Sequence, residues 1–102
     1  MRNIDHFIDG RRVPGTSGRH GDVFDPNSGQ VQARVALASV AELDRAVQNA
    51  VLAQRDWARV SPQRRARVMF EFKRLLEANM DELAALLSSE HGKVHSDSRG
   101  DI

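Results

Sequence analysis

At Ser39 the spacing of apolar residues changes, and that change most narrows what this chain can fold into. Before it, Val31, Ala33, Val35 and Leu37 alternate with Gln30, Gln32, Arg34 and Ala36. A period of two describes a strand with one buried face. After it, Leu43, Ala46, Val47, Ala50 and Trp57 recur at helical spacing, with Asp44, Arg45, Gln48 and Arg55 largely elsewhere. Ser39-Val40-Ala41-Glu42 fits a capping box, in which the Ser oxygen takes one orphan N–H and Glu42 reaches back for another. A strand delivered directly into an amphipathic helix sets the fold class as α/β, with strands and turns over 1–38 and helices over 39–102.

The flanking sequence extends this pattern. Phe7-Ile8 and Arg12-Val13 bracket Asp9-Gly10, a hairpin signal because the tight turn needs positive φ. Pro14-Gly15-Thr16-Ser17-Gly18 reads as a loop. Asp22-Val23-Phe24-Asp25 reads as a short extended piece stopped by the turn Pro26-Asn27-Ser28-Gly29. Ser61-Pro62 opens a second helix, with Ser as cap and Pro in the first turn, and its stripe is Val68, Met69, Phe72, Leu75 and Leu76. Asn79 followed by Glu82 predicts a renewed cap and a third helix carrying Leu83, Leu86 and Leu87, which Gly92 ends. The last ten residues read as a turn into a further helix, cut short at Ile102. No repeat or linker divides the chain. With four Phe, one Trp and no Tyr among 102 residues, any core is mostly Leu, Val and Ala. Three amphipathic helices then present more apolar stripe than they can cover for one another, so a second layer is missing and the domain is incomplete.

Several chemistries are excluded. Without Cys there is no disulfide, thiolate metal site or cysteine nucleophile in these residues. A net charge of +1 provides no global field toward nucleic acid or anionic lipid. No apolar run approaches the about 18 residues of a membrane span. The opening Met1-Arg2-Asn3-Ile4-Asp5-His6 lacks the apolar stretch of a secretory signal, so a cytoplasmic location is expected.

The remaining candidate sites favour plain structural readings. His91 and His95 have metal-ligand spacing, but Gly92 lies between them and nothing completes a set. Arg64, Arg65, Arg67, Lys73 and Arg74 form a basic cluster that could meet nucleic acid. Glu71, Glu77, Asp81 and Glu82 lie among or just after them, so a solvated helix face with i, i+4 pairs is the better reading. Arg99-Gly100-Asp101 spells an adhesion tripeptide and reads as chance in a segment entering a helix. Gly15, Gly18 and Gly21 open no helix and make no phosphate loop, and Asp81-Glu82 belongs to exposed helix. Taken alone, these residues describe an α/β segment with no active site, in which none is expected to be catalytic, to bind a cofactor or to hold a metal.

The order of motifs is informative. His6-Phe7-Ile8-Asp9-Gly10-Arg11-Arg12-Val13 resembles the opening of aldehyde dehydrogenases. Phe24-Asp25-Pro26-Asn27-Ser28-Gly29-Gln30-Val31 resembles their Asn-Pro-Ala-Thr-Gly-Glu-Val turn, with Asp25 in place of Asn. Val35 to Ser39, Leu43 to Val47, Trp57-Ala58, Arg64 to Val68, Leu83 to Leu87 and Glu90-His91-Gly92-Lys93 follow in the usual order. The resemblance spans essentially the whole chain. Gln30 to Ser39, Ser61 to Val68 and Gly100-Asp101-Ile102 look most like the methylmalonate-semialdehyde dehydrogenase branch. The chain departs from the family at Val94, where Thr is usual, and at Ser96-Asp97-Ser98, where Pro-Asp/Glu-Ala is usual.

The resemblance implies the N-terminal part of the aldehyde dehydrogenase fold, truncated before the coenzyme-binding fold proper. It implies an NAD-dependent, CoA-acylating oxidoreductase that converts malonate or methylmalonate semialdehyde to acetyl- or propionyl-CoA. In that family a Cys thiolate attacks the aldehyde, hydride passes to NAD, and the thioester goes to CoA. Those residues lie beyond position 102 of the pattern, so the chain alone is expected to be inactive and to bind neither NAD nor CoA. The implied partners are the remainder of the dehydrogenase fold or full-length subunits, in a typically homo-oligomeric family, with no nucleic acid or membrane. In some members the backbone near Val23-Phe24 and the carboxylate matching Asp101 hold a monovalent cation; an Asp favoured by a helix dipole is the simpler account. The alternatives are another dehydrogenase branch, or a non-catalytic interaction module derived from the scaffold.

Overall fold

The Asp9-Gly10 turn forms as its sequence dictates. In the computed structural model, which describes all residues 1–102, Asp9 and Gly10 have φ of 55° and 70°. That pair of positive values matches the right-handed twist of the flanking strands. The strands are β2 (His6–Ile8) and β3 (Arg11–Val13), antiparallel, with His6 opposite Val13 and Ile8 opposite Arg11. A three-stranded sheet has the order β1 (Arg2–Ile4), β5 (Val31–Ala36), β4 (His20–Phe24). β1 pairs parallel with β5, Arg2 against Ala33 and Ile4 against Val35. Arg12 ties the hairpin to the chain before it, donating from Nε to Asp5 Oδ2 at 2.8 Å and from its terminal nitrogen to the Asn3 carbonyl at 2.9 Å.

Four helices follow: α1 (Val40–Trp57), α2 (Pro62–Ala78), α3 (Met80–His91) and α4 (His95–Asp101). The chain thus has the expected α/β architecture of short strands followed by helices. It forms two units, Met1–Val23 with Val31–Arg59, and Phe24–Gln30 with Val60–Ile102.

In the first unit the capping box at α1 is complete: Glu42 N donates to Ser39 Oγ at 3.1 Å, and Ser39 N to Glu42 Oε2 at 2.8 Å. The buried apolar residues of this unit are Ala33 and Ala36. Ala33 lies on the face that alternation selects, but Ala36 does not, and Leu37 on the expected buried face is exposed. The cause is Gly15. A Cβ there would stand 2.7 Å from Ala36 Cβ, so the side-chain-free loop lies directly over Ala36 and buries it. The stripe of α1 is bare, with Leu43 57% exposed and Val47 and Trp57 exposed as well.

In the second unit Ser61 Oγ caps α2 by accepting from Arg64 N at 3.3 Å, and Pro62 occupies the first turn. The renewed cap at Asn79 does not form. Asn79 makes no side-chain bond to the start of α3; its amide donates backward to the Leu75 carbonyl at 2.8 Å, closing α2 instead. An amide can serve either helix end, and here it adds a second donor to the Leu75 carbonyl, which already accepts from Asn79 N at 3.1 Å. Gly92 stops α3 in the left-handed region at φ 86°, its N–H on the Ser88 carbonyl at 2.9 Å. Ala84 is fully buried, while Val68, Met69, Phe72, Leu75 and Leu86 are exposed.

Candidate functional site

The most constructed polar site lies where the Gly15–Thr16 loop meets the start of α1. Glu42 is 4% exposed. Its Oε1 accepts from Thr16 N at 2.6 Å and Thr16 Oγ1 at 2.9 Å, and its Oε2 from Ser39 N. The Ser39 N–H foremost, then the Thr16 N–H, pull its carboxyl down to about 2. His6 Nε2, shut off from solvent and without a hydrogen-bond partner, lies 3.9 Å from Glu42 Oε1. Beside them a cleft of about 220 Å³ is lined by Ile8, Val13, Arg45 and Asn49 together with His6 and Glu42.

This geometry anchors the loop and is poorly suited to acid–base catalysis. A carboxylate with three donors and so low a proton affinity is a weak general base at neutral pH. It also bears on the cofactors the resemblance implies. The junction of β5 with α1 is where an α/β fold would present helix N–H groups to a phosphate. Here it has no glycine turn, and a buried carboxylate of the chain itself occupies it. The residues at this junction therefore do not fit a nucleotide pyrophosphate. Sequence reading identified the Ser39–Glu42 box but missed Thr16 and His6, because Thr16 lies 26 residues away and no periodic pattern links them.

The other candidates fall as follows. His91 ends α3 and His95 begins α4, with left-handed Gly92 between them, and no group of three His, Asp or Glu residues is placed to hold a metal ion. On α2, Arg74 grips Glu71 through Nε at 2.9 Å and its terminal nitrogen at 2.6 Å, and Lys73 pairs with Glu77. The Arg74 contact lowers the Glu71 carboxyl and raises the Arg74 guanidinium. Two of the cluster's five charges, Lys73 and Arg74, are thus matched within the helix at i, i+4 and i, i+3 spacing. Arg99 pairs with Asp81 and Asp101 with Lys93, so both charged ends of the Arg-Gly-Asp tripeptide are engaged within the second unit. Those pairs, with the Ser88–Ser98 hydroxyl contact at 2.7 Å, fasten α4 to α3 and the loop between them. Asp25 accepts from Asn27 N at 2.9 Å, and this turn bond holds its carboxyl below the ordinary range.

Comparison with known proteins gives this scaffold its context. Residues 13–102 match the sequence profile described as the aldehyde dehydrogenase family. A structure from Sinorhizobium meliloti 1021, assigned as a methylmalonate-semialdehyde dehydrogenase and complexed with NAD, is 56% identical. It superposes with a TM-score of 0.97 over 100% of this chain and 21% of its own. The methylmalonate-semialdehyde dehydrogenase structure from Oceanimonas doudoroffii is 39% identical with a TM-score of 0.93, covering 99% of this chain and 20% of its own. Among curated relatives, a malonate-semialdehyde dehydrogenase of Geobacillus kaustophilus (strain HTA426) is 43% identical over 101 residues, 99% of this chain and 21% of that protein. The chain spans about a fifth of the length of the relatives it matches. With the profile running through most of its residues, the chain belongs to the aldehyde dehydrogenase family.

Proposed function

We propose that residues 1–102 are the N-terminal segment of an aldehyde dehydrogenase domain. The full enzyme would be an NAD-dependent, CoA-acylating oxidoreductase converting malonate or methylmalonate semialdehyde to acetyl- or propionyl-CoA, with reduction of NAD and release of carbon dioxide. The observation that carries this reading is the end-to-end match at 56% identity to a structure that holds NAD. The segment's own part is scaffolding. It supplies strands and helices whose bare faces the rest of the fold covers, and contributes no catalytic, cofactor-binding or metal residue. The absence of Cys and the Glu42-filled junction at α1 support that division. Its partners are the remaining dehydrogenase fold and, through it, further subunits.

Two experiments test this. Purified residues 1–102 should form no NADH from any aldehyde, with or without CoA; NADH formation by a homogeneous preparation overturns the scaffolding role. A chimaera carrying residues 1–102 in place of the matching segment of the Sinorhizobium meliloti enzyme should fold and produce acetyl-CoA from malonate semialdehyde, NAD and CoA. A chimaera that does not fold, or that folds without the activity its parent enzyme shows, would overturn the assignment.

A further inference from the structure

We draw no further inference here: the strongest candidate, the apolar face of α2 bearing Val68, Phe72 and Leu75, carries nothing beyond the scaffolding already proposed, because nothing in the structure shows what covers it.

Discussion

Glu42 bonds to residues before and within its own helix cap, and its low pKa makes the junction pH-sensitive. Its folded value of about 2 lies below the ordinary 4.5. The carboxylate therefore favours the folded state above the ordinary range, and that contribution is lost as pH falls from about 4.5 through about 2. In the chimaera, Glu42→Gln should lower the thermal midpoint at neutral pH, and the gap to the parent should narrow as pH drops through that window. Equal gaps at neutral and acid pH would show that the bonds of Glu42, not its charge, matter. Gly92 allows a second residue-level test. Its φ of 86° costs a non-glycine residue roughly 1–2 kcal/mol, and a Cβ would stand 3.0 Å from Pro26 Cγ. Gly92→Ala in the chimaera should lose at least that much stability. Gly92→Asn, which tolerates the left-handed region better, should lose less if φ dominates and as much if Pro26 does. Denaturant midpoints distinguish the two.

At the scale of elements, the helix boundaries were legible because caps are local. Ser39, Ser61-Pro62 and Gly92 each act within a turn of their own position. β1 was not legible. Arg2-Asn3-Ile4 has one apolar residue and no alternation, and it becomes a strand only because β5 lies alongside it. The buried side of Ala36 is hidden for the same reason, because the bare backbone at Gly15 comes from a distant loop; at Asn79 the partner is local, and an amide that can donate backward as well as accept forward leaves the sequence ambiguous. α2 carries the clearest consequence at this scale. Phe72 is 53% exposed at the centre of an apolar strip with Val68 and Leu75. Phe72→Ser should leave the helix content of the isolated chain almost unchanged by circular dichroism, since little packing is lost, while reducing its binding of a hydrophobic dye. In the chimaera the same change should cost about 3 kcal/mol or more, the order for removing a buried aromatic. A negligible cost there would mean that α2 faces solvent in the whole enzyme.

For the whole molecule, the decisive fact is that the buried apolar residues are alanines: Ala33, Ala36 and Ala84. Burying a large apolar side chain returns roughly 1.5–3 kcal/mol, against about 1–2 kcal/mol to order each residue's backbone. No Leu, Phe or Trp is fully buried to supply that return. The isolated chain should therefore keep helical far-UV circular dichroism, lack a fixed near-UV signal from Trp57, bind a hydrophobic dye and self-associate. A sharp cooperative melt from a monomer with an immobilised Trp57 would overturn this and the scaffolding role with it. The shortage of aromatic residues made the thin core legible in sequence; the order of motifs, more than any residue chemistry, made the family legible.

The parallel pairing of β1 with β5 also sets a timetable. The Asp9-Gly10 hairpin can close in about 1–10 μs once its residues are free. Arg2–Ile4 must wait for a partner about thirty residues downstream, roughly 2–6 s at ribosomal rates of about 5–20 residues per second. During those seconds Arg2–Ile4 lacks its β5 neighbour. The edge of this sheet is thus completed by a strand made before its partner and seated only after it.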